Sequence, residues 1–90
     1  MRIARRYLIG GRVQGVGFRY FTRSSAGRQG IDGWVRNTLN GRVEIEAAGD
    51  SDAMTQFERD IREGPPGSDV DQVEVTEIPT PATGSGFRIR

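Results

Sequence analysis

Tyr7, Ile9, Gly11 and Val13 alternate with Arg6, Leu8, Gly10 and Arg12, the period of a strand with one face turned inward. The alternation predicts β1 over residues 3–13. It breaks at Gln14-Gly15-Val16-Gly17, where glycines two apart let the backbone turn sharply or approach a ligand closely. From Phe18 to about Gln29 the spacing turns helical. Phe18, Phe21, Thr22, Ser25 and Ala26 form an inner stripe, Gly27 weakens the pattern, and Gly30 supplies the C-terminal stop of α1.

Residues 31–48 read as a hairpin: β2 over Ile31–Asn37, an Asn40-Gly41 turn whose two residues both tolerate positive φ, and β3, in which Val43, Ile45 and Ala47 alternate with Glu44 and Glu46. After Gly49, Asp50 or Ser51 can cap α2. Its Ala53, Met54, Phe57 and Ile61 recur at helical spacing, and Gly64-Pro65-Pro66-Gly67 ends it. Val73 and Val75 alternate with Glu74 and Thr76 in β4. A Pro/Thr/Gly/Ser loop over 79–86 then leads to a short terminal strand, Phe87–Arg90. By their apolar periodicity Phe18, Phe21, Trp34 and Val35 are expected in the core.

The order β-α-β-β-α-β plus a terminal strand, with right-handed crossovers and one tight hairpin, predicts an α+β two-layer sandwich. Two helices cover one face of a mainly antiparallel sheet in ferredoxin-like order 4-1-3-2. The length suits a single domain over 1–90, and no internal repeat or linker interrupts it.

Composition narrows the chemistry. The chain has no Cys and no His, and all 13 cationic side chains are Arg. Disulfides, thiol redox, Cys-based zinc sites, His general bases, Schiff-base lysines and Lys-dependent phosphate loops are therefore excluded. Arg, carboxylates, amides, hydroxyls and backbone N–H groups are left. The apolar fraction, 34%, is low, but a net charge of only +1 and the periodic apolar blocks argue for a folded chain. No apolar run approaches the roughly 20 residues of a membrane span, and none follows the Arg-rich start as a signal peptide requires, so a cytoplasmic protein with no membrane contact is expected.

Charge is unevenly distributed. Residues 1–45 carry nine Arg against Asp32 and Glu44, and residues 46–90 carry four Arg against ten acids. The first half can attract anions.

The topology brings three features of that half together. β1 and β2 run parallel with β3 between them, so their C-terminal ends share one sheet edge about two strand spacings, ~10 Å, apart. The loop 14–19 leaves one end and Asn37 stands at the other. The loop runs into the N-terminus of α1, where unpaired N–H groups and the helix dipole favour an anion. Arg19 adds a planar fork suited to two oxygens of one phosphate.

The run Gly11-Arg12-Val13-Gln14-Gly15-Val16-Gly17-Phe18-Arg19 is followed by Thr22, Ala26, Gly30 and Gly33-Trp34-Val35-Arg36-Asn37, then Gly41 and Gly49. Together they resemble the acylphosphatase family, and the likeness extends through Gly64-Pro65-Pro66-Gly67 to Phe87-Arg88-Ile89-Arg90. It implies the ferredoxin-like fold, a small acyl phosphate as substrate with inorganic phosphate as product, no metal or cofactor, and a small cytoplasmic monomer. Carried over by residue, it implies Arg19 and Asn37 as the catalytic residues. It likewise implies the backbone of Gln14, Gly15, Val16, Gly17 and Phe18 as the phosphate cradle. An acyl phosphate brings its own good leaving group, so holding the phosphoryl group, neutralising its charge and aiming a water suffice. With no His and no carboxylate evident at that edge, a substrate phosphate oxygen is the expected base.

Two rival readings stand beside this. The fold also carries RNA-recognition modules, but Val43-Glu44-Ile45-Glu46 shows acids where aromatic residues would stack bases, so no nucleic-acid partner is expected. The other rival is a catalytically idle anion-binding or regulatory module.

Overall fold

Strand alternation and helical stripes become seven elements. They are β1 (Arg2–Arg12), α1 (Phe18–Gln29), β2 (Asp32–Asn37), β3 (Val43–Asp50), α2 (Ser51–Glu63), β4 (Asp69–Glu77) and β5 (Phe87–Ile89). The computed structural model describes residues 1–81 and 84–90. Of the expected loop over 79–86, Ala82 and Thr83 lie outside the described residues. One sheet runs β4-β1-β3-β2-β5. Its pairs are antiparallel except β2 with β5, which is parallel. This is the expected sandwich, with the terminal strand closing the edge beside β2.

The core lies between the sheet and the helices. Tyr7, Ile9, Val35, Val43, Ile45 and Ala47 from the sheet meet Phe18 and Ala26 of α1 and Met54, Phe57 and Ile61 of α2. The two helices are tied where Ser25 Oγ donates to Asp60 Oδ2 at 2.6 Å. Tyr7 reaches across the core to donate to Glu58 Oε1 at 3.1 Å. Burial, and then the Glu58 carboxylate, push the Tyr7 hydroxyl above its ordinary pKa, so it stays a donor.

Three expectations are corrected. Trp34 is not in the helix-side core. Val35 takes that face, so pleating turns Trp34 to the open one, where the guanidinium of Arg90 lies 4.5 Å from its ring centroid. Phe21 is only partly buried and meets Phe18 edge-on with centroids 6.2 Å apart, at the margin of the stripe. Gly11 is exposed rather than inward. The β1/β4 register slips between Gly10, opposite Gln72, and Gly11, opposite Val70. The bulge bends the end of β1 just before the loop.

The hairpin also closes differently. Gly41 has φ 87°, but no non-glycine residue has positive φ among the described residues, so Asn40-Gly41 is not the two-residue turn expected. A longer connection forms instead, in which Gly41 N–H donates to Thr38 O at 3.3 Å and Thr38 N–H to Arg42 O at 2.8 Å. The Thr38 hydroxyl accepts from Arg42 N–H at 3.0 Å.

Candidate active site

β1 and β2 each pair antiparallel with β3, so they run in the same direction and their C-terminal ends meet at one edge of the sheet. A cleft of about 100 Å³ opens there, lined by Val13, Gly15, Gly17, Phe18, Arg19, Tyr20 and Asn37. Arg19 and Asn37 therefore share one cavity. Of the five loop residues expected to cradle phosphate, Gly15, Gly17 and Phe18 line it and Gln14 and Val16 do not. Val16 instead packs against the core.

The loop owes its shape to its glycines. Gly15 and Gly17 have φ 74° and 79°, left-handed values that side chains resist, and neither would clash through a Cβ. They turn the chain so that the N–H groups from Gly15 to Arg19 bond no backbone carbonyl among the described residues; the first bond of the helix is Phe21 N–H to Gly17 O, at 3.0 Å. The start of α1 is open in side chains as well. Gly17 caps it with no side-chain bond, and its first turn holds no acid. α2 shows the ordinary alternative, with Asp50 capping Asp52 N–H and an acid in its first turn. A run of free N–H donors at an uncapped helix start, beside a guanidinium, is an arrangement suited to an anion.

Gln14 has a separate use. Its side-chain amide donates to Thr38 O at 2.8 Å and to Arg42 O at 2.9 Å. It thereby ties the loop to the connection that begins one residue after Asn37. Nothing in the spacing of the sequence pointed to this contact, because it joins groups 24 and 28 residues apart.

The basic surplus of the first half is mostly consumed. Arg2 pairs with Asp32, Arg5 with Glu58 and Glu77, Arg6 and Arg36 with Glu44, Arg28 with Asp60, and Arg42 with Glu74. Among the described residues Arg12, Arg19 and Arg23 have no ion pair, and these three bracket the loop. Glu44 lies on the open sheet face with its side chain 5% exposed. Burial alone would raise its pKa, but hydrogen bonds from Arg36 and Arg6 and their charges outweigh that and hold it below the ordinary value.

A larger cavity of about 200 Å³ lies on the open face toward the opposite ends of β1 and β2, walled by Ala4, Trp34, Ala48, Ile78 and the Arg2–Asp32 pair among others. It receives none of the loop N–H groups, so the smaller cleft is the candidate site. No group of three or more His, Cys, Asp or Glu side chains placed to hold a metal occurs among the described residues.

Residues 5–89 match the acylphosphatase family model. The chain is 45% identical over 89 residues to an acylphosphatase of Pseudomonas aeruginosa, covering 99% of this chain and 97% of that one. It is 42% identical over 83 residues to an acylphosphatase of Bacillus pumilus, covering 92% of each. The crystal structure of an acylphosphatase from Bacillus subtilis superposes with a TM-score of 0.93 at 40% identity, covering 100% of this chain and 99% of that one.

Proposed function

The chain belongs to the acylphosphatase family and hydrolyses the carboxyl–phosphate bond of acyl phosphates, and from that premise we propose how its residues do so. The phosphoryl group rests on the backbone N–H groups of the loop between Gln14 and Phe18, foremost those of Gly15, Gly17 and Phe18 that line the cleft, and in the fork of Arg19. These donors are fixed before the substrate arrives, so no reorganisation is needed as charge spreads over the equatorial oxygens. Asn37, on the facing wall, holds a water in line with the scissile bond. The water oxygen attacks phosphorus and the bond from phosphorus to the carboxyl oxygen breaks. The carboxylate leaves with the electron pair, and the water proton passes to a phosphate oxygen.

The observation that carries this reading is the shared cleft, in which free loop donors, Arg19 and Asn37 converge. No metal or cofactor takes part. The protein acts as a monomer over 1–90, in the cytoplasm, on a small molecule and without nucleic acid or membrane. No helix among the described residues is long and apolar enough to cross a membrane.

The test is steady-state hydrolysis of benzoyl phosphate with a chelator present. The wild type should turn over at its full rate. Asn37→Ala should lower kcat by roughly 10²-fold or more, with the inhibition constant of inorganic phosphate nearly unchanged, because the water and not the phosphate loses its partner. An Asn37→Ala enzyme with normal kcat would overturn the assignment of the water to Asn37.

A further inference from the structure

Tyr20 is a large side chain that the core does not use. The buried stripe of α1 is Phe18, Thr22, Ser25 and Ala26. Tyr20 points away from it, 61% exposed, and lines the cleft beside Arg19. The guanidinium of Arg23 lies 5.4 Å from the centre of the Tyr20 ring, and among the described residues Arg23 has no ion pair to draw it elsewhere. A singly exposed aromatic is ordinary on a protein surface. This one forms part of the wall of the cleft, and a cation–π contact supports its ring.

The geometry of the reaction assigns that wall a task. In-line displacement sets the attacking oxygen and the leaving carboxylate on opposite sides of phosphorus. The loop N–H groups and Arg19 surround the equatorial oxygens, so with the water held by Asn37 at the end of β2 the acyl group departs on the side of phosphorus away from Asn37, along the cleft wall that carries the first turn of α1. On that wall Val13 and Phe18 are buried at 1% and 2% exposure and the two glycines have no side chains. Arg19 is engaged with the phosphoryl oxygens. Tyr20 is the remaining side chain able to meet the acyl group.

We infer that Tyr20 is a specificity-determining residue, and that the enzyme favours acyl phosphates whose acyl part carries a planar apolar group able to lie against its ring. The inference rests on the binding mode proposed above, with the phosphoryl end on the loop and Arg19. Acetyl phosphate is too short to gain from the contact, whereas benzoyl phosphate presents a ring. An aromatic contact of ordinary strength is worth roughly three- to tenfold in kcat/KM.

The experiment compares kcat/KM for benzoyl phosphate and acetyl phosphate in the wild type, Tyr20→Ala and Tyr20→Phe, with inhibition by inorganic phosphate measured alongside. Tyr20→Ala should lower the benzoyl-to-acetyl ratio by roughly three- to tenfold. Tyr20→Phe should keep the ratio, because the ring and not the hydroxyl makes the contact. The inhibition constant of phosphate should stay within about twofold in both variants, since phosphate lacks the acyl group. A ratio that Tyr20→Ala leaves unchanged, or that Tyr20→Phe lowers equally far, overturns the role of Tyr20. A wild type that hydrolyses neither substrate overturns the underlying reading of the site instead.

Discussion

Arg19, Asn37 and Gln14 differ in how far their neighbours in the chain reveal them. Arg19 stands where a glycine loop enters a helix, a local pattern with a local meaning, and the structure finds it lining the cleft without an ion pair among the described residues. In the proposed mechanism it touches both ground state and transition state. Arg19→Ala should therefore lower kcat by roughly 10²- to 10³-fold and also weaken inhibition by phosphate, measured in one steady-state series. Asn37 was legible in two ways, through topology as the residue closing the strand two places from β1, and through the family likeness of the run Gly33-Trp34-Val35-Arg36-Asn37. The use of the Gln14 side chain was not legible, since its partners are carbonyls of a distant connection and carbonyls carry no sequence signature. Replacing Gln14 with Ala removes both donors. Stability should fall by about 1–2 kcal/mol in urea titrations. kcat should fall too, because the loop and the start of the connection after Asn37 are no longer fastened.

At the level of elements, the helices and inner strands follow from periodicity, and the departures have identifiable causes. The periodicity of β4 showed only around Val73 and Val75, yet the strand runs from Asp69 to Glu77. An edge strand buries few side chains, so most of its length lacks an alternating pattern. Trp34 was misplaced because hydrophobicity alone does not say which face of a pleat a residue takes; the pairing of β2 with β3 decides it. Gly33 makes that pairing possible. It has φ 141°, and a Cβ there would collide with the Glu46 carbonyl of the neighbouring strand. Gly33→Ala should cost more than about 2 kcal/mol and lower Tm by roughly 10 °C in a thermal melt. A melt unchanged within a degree would show that the strands can separate at little cost.

For the whole molecule, charge is the property that folding redistributes most. Among the described residues six of the nine arginines of the first half meet carboxylates, leaving Arg12, Arg19 and Arg23 around the loop. A positive field concentrated there should speed the arrival of anionic substrate. kcat/KM should then fall as salt is raised from low to about 0.5 M, and Arg12→Gln should make that slope shallower. The Arg6–Glu44–Arg36 cluster governs the acid side. Because Glu44 in the folded state titrates below its ordinary value of 4.5, the unfolded chain binds the proton more readily. The contribution of Glu44 is thus complete above pH ~4.5 and drains away as pH falls below it. Urea midpoints should drop in that range, and Glu44→Gln should flatten the drop while lowering the plateau at neutral pH.

The sequence by itself determined the element order, most of the helix-facing core, the glycine loop with Arg19, and the family. All of these rest on local periodicity or on short motifs, and a short stretch of chain encodes them completely. Only the tertiary structure decided which arginines remain unpaired among the described residues, that Gln14 fastens the loop to the connection after Asn37, that Trp34 faces away from the helices, and that Tyr20 lines the cleft. Each of these depends on contacts between segments far apart in the chain or on which face of an element is covered. Strand register and packing settle such matters, and no local pattern records them.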